Sequence, residues 1–513
     1  MDLLLEQVTS MHIFFQFFLA LILLIPIILI SRTVVAGSRY SPILIIVIFG
    51  LIMGLVLVRS DVSTPGLPDI PIVVLMSKVT ITALIASFFV GGQEIRKILK
   101  HQDTTLEDII IPSQDEVILG TKRTQFVFLI RAFFILIGIE GVKRLVLGYA
   151  EDDVLGKFYP LIAYVGLVGS VILIDSKKNI PNKRKYITKG LLEIIGIFAV
   201  LIASHFIAQW IKPVIALPQI FFAMILSAAL GMMLSKWRFG PSLRALLFAG
   251  IPVVLAANFV IGGSRIVEAF QLVQMRSVML YGFFGQLFWM FGGIALLIYL
   301  GRANKVRNLA PGMAGSLSHS GLTGACTAGD LGPEAASRAP IMINVPFFGH
   351  IFVFSILAAS AAKGYLMIQW AIPVVAVGIL LTGWSLRTLR KAQGLEAAEV
   401  KGLMQFSLGW QLVAVFGSFL LLAISGMPLG DAAMATSSAI SHFGLFAAIQ
   451  GGMFGGQAAD LIPFIFAMPF LIHPLVFGMF GKAADNDGVM PPKVAFFLGA
   501  LGLAGVIYAC FFA

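Results

Sequence analysis

The sequence predicts an all-α polytopic membrane protein, with about 14 transmembrane helices and two re-entrant hairpins in inverted-topology repeats. Three observations predict it. The chain is 59% hydrophobic and only 12% charged, and its apolar runs recur at bilayer-crossing length from Met11 to the end. Its basic residues gather in loops that all fall on one face when the runs are counted as spans. A segment rich in Gly, Ala, Ser and Thr, too polar for an ordinary span, occurs twice.

The first apolar run follows Asp2 and Glu6 and precedes Arg32. A signal peptide carries its positive charge first, so this run reads as a retained span with the N-terminus outside. The basic loop "DSKKNIPNKRKYITKG", Asp175 to Gly190, sets the cytoplasmic side. Counting outward from it puts Arg32, Arg39, the "RKILKH" loop, Lys236 to Arg238 and Arg302 to Arg307 inside as well. The spans that satisfy this lie at about 12–31, 42–58, 71–91, 125–147, 157–174, 190–211, 215–234, 244–262 and 277–300. The net charge of +11 is accounted for by these loops and implies no nucleic-acid partner. The expected location is a cell membrane, with a bacterial inner membrane the favoured one. Two cysteines, Cys326 and Cys510, exclude a disulfide framework and the usual four-ligand zinc sites.

After the ninth span comes "SHSGLTGACTAGDLGPEAASRAP", Ser318 to Pro340, followed by spans at about 341–361 and 366–387. The next loop, "RTLRKAQGLEAAEVK", is basic and belongs inside. That holds only if the preceding segment enters the membrane and returns on the same side. Irregular backbone at that depth is tolerated where protein or a water-filled cavity surrounds it.

The segment recurs 123 residues later as "SHFGLFAAIQGGMFGGQAADLIP", Ser441 to Pro463. The pairs include Ser318/Ser441, His319/His442, Gly321/Gly444, Leu322/Leu445, Gly332/Gly455, Pro340/Pro463, Pro346/Pro469 and His350/His473. Upstream, "QLFWMFGGIALLIYLG" from Gln286 matches "QLVAVFGSFLLLAISG" from Gln411. The unit is span, hairpin, span, span. Three crossings is an odd number, so the second copy lies upside down. The domain reading follows: residues 1–275 form a scaffold or dimerisation region, carrying a fainter inverted pair at 42–100 and 215–271. Residues 276–390 are core repeat 1 with its hairpin at 310–335. Residues 400–513 are core repeat 2 with its hairpin at 431–458.

Broken helices expose N–H ends that favour anions and C=O ends that favour cations. The expected substrate-binding residues are Ser318, His319, Ser320, Thr323, Ser438, Ser441 and His442, and the expected ion-coupling residues are Thr327, Asp330, Asn344 and Gln450. A membrane-buried His can donate to an anion or carry a proton; it can equally lock a hairpin through a neighbouring carbonyl. Gln286 and Gln411 read as amide links between helices, and His350 and His473 as structural hydrogen bonders. No GxSxG, HExxH, Walker A or paired Cys–His spacing occurs, so no enzyme class and no cofactor is expected.

The stretches "FFVGGQEIRKIL", "GMAGSLSHSGLTGACTAG" and "AISHFGLFAAIQGGMFGG" resemble the sodium/glutamate symporter family and the wider group of anion transporters with two re-entrant loops. Gly451, Gly452, Gly455 and Gly456 approximate the family's glycine signature, whereas the first copy has only Gly329 and Gly332. The resemblance implies sodium as coupling ion. The sequence as a whole points to a secondary active transporter for a small organic anion, such as a carboxylate, coupled to sodium or protons, with a homodimer allowed. An ion channel or regulated pore, and a non-transporting scaffold, are the alternatives.

Overall fold

The computed structural model describes residues 183–211, 219–237 and 265–513, with short gaps at 267, 328–330, 393–394, 451 and 486–487, and scattered positions elsewhere. The expected spans at 12–31, 42–58, 71–91, 125–147, 157–174 and 244–262, and the orientation of the N-terminus, lie outside the described residues or touch them only at isolated positions. Apart from two isolated bridges, the described residues form helices and turns and no strand. Six of their helical stretches are long and apolar enough to cross a membrane: Ile187–Ile211, Val273–Tyr299, Ile368–Ala392, Glu396–Ile424, Gly456–Ala484 and Pro492–Phe511. The chain is therefore a helical membrane protein.

It divides into two compact units. The first gathers Met1–Ala36, Ile45–Ile207 and Phe222–Ser264. The second gathers Gly37–Leu44, Ala208–Phe221 and Arg265–Ala513.

Two long helices are described in the first half, α1 (Lys183–Ile211) and α2 (Gln219–Met233). The second glycine of "FFVGG", Gly92, has a local explanation here. A Cβ on Gly92 would overlap the Ala228 carbonyl, and one on Gly231 would overlap that of Phe89. Backbone therefore meets backbone, as small residues allow in membrane helices. Ser227 Oγ donates to the Ile85 carbonyl at 2.6 Å, and Gln93 Nε2 donates to Leu234 and Trp237 carbonyls at 3.0 and 2.9 Å. Glu193 of α1 is buried. Its carboxylate accepts from the backbone N–H groups of Gly240, Ser242 and Leu243 and from the Trp237 indole.

The second unit presents one succession of helices twice. It begins with α3 (Arg276–Tyr299), α4 (Val306–Leu317), α5 (Ser320–Thr327), α6 (Pro333–Lys363) and α7 (Ile368–Ala392). It continues with α8 (Glu396–Ile424), α9 (Leu429–Ile440), α10 (Phe443–Gln450), α11 (Gly456–Ala467), a 3-10 turn at Met468–Leu471, α12 (His473–Asp485) and α13 (Pro492–Phe511). Both breaks after the 12-residue helix fall on a left-handed serine, Ser318 at φ 52° and Ser441 at φ 53°. Both third helices start after a glycine at φ 98°, Gly332 and Gly455. One difference separates the copies: α6 runs unbroken, whereas its counterpart is interrupted by the 3-10 turn.

The helix expected at 341–361 starts eight residues earlier, at Pro333. Proline suits the first helical position, where its missing N–H has no partner to lose. Glu334, Ser337 and Arg338 are thereby on a helix and not in a loop.

The two successions interlock. Gly282 and Gly285 of α3 lie against Ser438 and Ala439 of α9, and Ser407 of α8 donates to the Gly312 carbonyl of α4 at 3.3 Å. Trp410 Nε1 of α8 donates to the Trp289 carbonyl of α3 at 3.1 Å. Gly499, Gly502 and Gly505 of α13 let that helix press on Gly292, Phe288 and Phe284 of α3.

Candidate functional site at the crossing of two broken helices

Each break is closed by the same local chemistry. Ser318 N–H bonds the Gly315 carbonyl at 3.2 Å and His319 N–H bonds Ala314 at 3.0 Å. Ser441 and His442 repeat this with Ser438 and Ser437, at the same two distances. This is a Schellman motif with serine where glycine is usual. A left-handed non-glycine residue costs roughly 1–2 kcal/mol. That the strain occurs twice, at matching positions, marks the serines as retained for their side chains.

The histidine after each serine caps the next short helix. Leu322 N–H donates to His319 Nδ1 at 3.1 Å, and Leu445 N–H to His442 Nδ1 at 3.0 Å. With Nδ1 accepting, the proton of each neutral ring is on Nε2. That N–H points onward. The Gln286 carboxamide lies 3.2 Å from His319 Nε2, and its oxygen is the group able to accept there. His442 Nε2 donates to His350 Nε2 at 2.6 Å.

The two breaks cross. An isolated antiparallel bridge pairs His319 with His442. Around it the histidine at each break meets the helix histidine of the other succession. His319 and His473 rings are 4.7 Å apart between centroids, and so are His350 and His442. Glutamines tie the crossing from outside: Gln411 Nε2 donates to Ser318 Oγ at 3.1 Å and lies 3.3 Å from His350 Nε2, while the same end of the Gln286 carboxamide that meets His319 lies 3.5 Å from Ser441 Oγ. His473 Nδ1 donates to the Pro469 carbonyl at 2.8 Å. All four histidines and both glutamines are buried.

The paired glycines find their reason here. A Cβ on Gly321 would lie 2.7 Å from Phe477, and one on Gly444 would lie 3.2 Å from Phe354. Those two phenylalanines are themselves a matching pair, one turn beyond His473 and His350.

Of the expected substrate residues, Ser318, His319, Ser441 and His442 come together at the crossing. Ser438 does not join them; its hydroxyl donates to the Ile465 carbonyl at 3.0 Å, within helix packing. Thr323 is buried on α5, and Ser320 starts that helix, with its side chain outside the described residues. Of the expected ion-coupling residues, Asn344 is buried in α6. Thr327 and Gln450 end α5 and α10 with undescribed side chains, and Asp330 lies outside the described residues. Gln286, Gln411, His350 and His473, read from sequence as structural, stand in the same network as the predicted residues. Their pairing between the two copies was the available signal.

A second cluster was not foreseen. Arg338, 3% exposed, hydrogen-bonds Asn308 and lies 3.2 Å from Glu399 and 3.6 Å from Glu396. Arg307 lies 2.8 Å from Glu334 and 3.6 Å from Glu399. The start of α4 thus meets the start of α6 and the start of α8. The signal available was an arginine inside an apolar stretch, which demands a counter-ion.

No known protein family matches this chain, and no characterised protein or solved structure is similar to it. The class rests on the chain's own features: a helical membrane protein whose second unit is built around two crossed helix breaks.

Proposed function

We propose that this chain is a secondary active transporter for a small organic anion, such as a carboxylate, coupled to sodium or protons. Two re-entrant hairpins of opposite direction hold the site. The observation that carries the reading is the crossing of the two serine–histidine breaks.

The closure of each segment on itself supports the hairpins. Arg307 and Glu334, at the two ends of the first, are 2.8 Å apart. Gly430, at the start of the second, faces the Phe454 carbonyl and Ala458 near its end. Opposite direction is supported by the α3–α8 packing: Trp289 faces Gly417 and Gly293 faces Trp410, which makes the two helices antiparallel. With Glu399 on Arg307, the α7–α8 connection and the basic end of α7 before it lie on the side of 302–307, as that charge requires. The anion preference follows from the donors: two serine hydroxyls, two carboxamides and the N-termini of α5 and α10, with no carboxylate among the crossing's described residues. Ser318 is half-buried whereas Ser441 is buried, so the approach lies on the side of the first hairpin. The crossing is filled by its own side chains, and substrate entry therefore requires the hairpins to part. The unit containing 265–513 serves as the moving core and the first-half unit as its scaffold. The resemblance of the two segments to the sodium/glutamate symporter family implies sodium as the coupling ion.

The test is gradient-driven uptake of labelled glutamate, succinate and citrate into proteoliposomes holding the full chain, under imposed sodium or proton gradients. Saturable uptake that collapses with the gradient, and that Gln411→Ala or Ser318→Ala reduces, is expected. Conductance without coupled, saturable uptake would establish the pore alternative. Sided labelling adds a topological check on a chain with Cys326 and Cys510 replaced. Cysteines at 305 and 334 should react from one compartment, and cysteines at 427 and 457 from the other.

A further inference from the structure

The first unit carries a basic groove that the proposed transport cycle does not use. It is lined by Arg184, Lys185, Thr188, Lys189, Leu192, Lys236 and Trp237 and encloses about 830 Å³. Four of these seven side chains are cationic and none is a carboxylate. We propose that this groove binds the phosphate headgroup of an anionic phospholipid.

Its construction argues for a ligand. Lys183, Arg184 and Lys185 open α1, and no acidic residue stands in that first turn. Cations beside a helix N-terminus oppose the helix dipole and add to it an excess of positive potential. A bound anion relieves both. The wall is held in place: Trp237 donates its indole N–H to the buried Glu193 at 3.3 Å, and Lys189 Nζ stands 5.0 Å from the Trp237 ring centre. The Glu193 charge faces the backbone N–H groups of Gly240, Ser242 and Leu243 and does not line the groove.

The ligand's second half is argued by the apolar surface beside the charges. Leu192 is 52% exposed and Ile195 61% exposed, on the stretch Ile187–Ile211 that is apolar enough to cross a membrane. Met233 and Leu234, just before Lys236, are also exposed. From Arg184 to Leu192 is about 12 Å along the helix axis. Charge therefore gives way to apolar surface over the depth at which a lipid's headgroup gives way to its acyl chains. A soluble phosphate would use only the first part of this surface, and a phospholipid would use both.

The experiment is thermal unfolding of the full chain in neutral detergent, titrated separately with phosphatidylglycerol, phosphatidylcholine and inorganic phosphate. A concentration-dependent rise in Tm with phosphatidylglycerol alone is expected. Removing charges in Arg184→Gln/Lys236→Gln should weaken the response by about fivefold per charge. The variant's Tm in phosphatidylcholine checks that it folds, and Lys185→Gln with Thr188→Ala is the substitute pair if it does not. An equal rise with phosphatidylcholine, an equal rise with inorganic phosphate, or an undiminished response in a folded variant would each overturn the proposal.

Discussion

His319 and His442, each the first residue after a helix break, are joined by an isolated antiparallel bridge across 123 residues of chain. Each ring caps its own short helix with Nδ1 and sends its Nε2 toward a buried partner, Gln286 in one case and His350 in the other. Local folding and long-range assembly therefore depend on the same two side chains.

His442→Ala removes a helix cap and leaves His350 Nε2 without its donor at 2.6 Å. Losing a buried partner costs about 1–3 kcal/mol, and losing a cap about 1 kcal/mol. His442→Asn keeps an oxygen able to accept from Leu445 N–H, so it should recover the capping share alone. Unfolding of both variants in one detergent measures the split.

Ser441→Gly should raise stability by up to about 1 kcal/mol, since glycine adopts the left-handed conformation freely. Its hydroxyl gives up only the long 3.5 Å contact with Gln286. Ser318→Gly should be close to neutral, because the 3.1 Å bond from Gln411 is lost in exchange. Valine at either position should destabilise. Ranking the variants by Tm tests this order.

Gly321→Ala drives a methyl group to 2.7 Å from the buried Phe477 ring. Overpacking of this kind costs about 1–3 kcal/mol. Gly444→Ala meets Phe354 at 3.2 Å and should cost less. Adding Phe477→Leu should restore much of the Gly321→Ala loss, and a double-mutant cycle on unfolding free energies gives the coupling.

Arg338→Met takes away the 3.2 Å partner of Glu399, itself largely buried, and leaves it Arg307 at 3.6 Å. Breaking one side of a fully buried pair costs about 3–5 kcal/mol, and the remaining Arg307 contact should hold the loss below that. The double change Arg338→Met/Glu399→Gln should cost less than the single one, because the under-compensated carboxylate is gone. Equal losses would show that Arg338 acts through packing alone.

How much was legible in advance can be read from particular residues. The helices ending at Tyr299 and Ile211 were marked by apolar length followed by polar or proline-bearing sequence. The paired Ser-His-x-Gly-Leu stretches drew attention to both segments, but the sequence reading set only the ranges 310–335 and 431–458, and the breaks at Ser318 and Ser441 came from the structure. The early start of α6 at Pro333 was missed, and the added turns carry the charged Glu334 and Arg338. Their charges are matched by Arg307 and Glu399, which lie far away in the chain.

Sequence alone determined the helical membrane class and the internal pairing of Ser318-His319 with Ser441-His442. Periodicity, composition and internal identity are properties of the chain taken in order. Tertiary structure decided which partner each of those residues has: His319 packs against His473 and not against His350, and Gln411 bonds Ser318 of the other copy. Those pairings depend on where separate helices lie in space, and a buried polar group takes whichever partner the packing brings within about 3 Å.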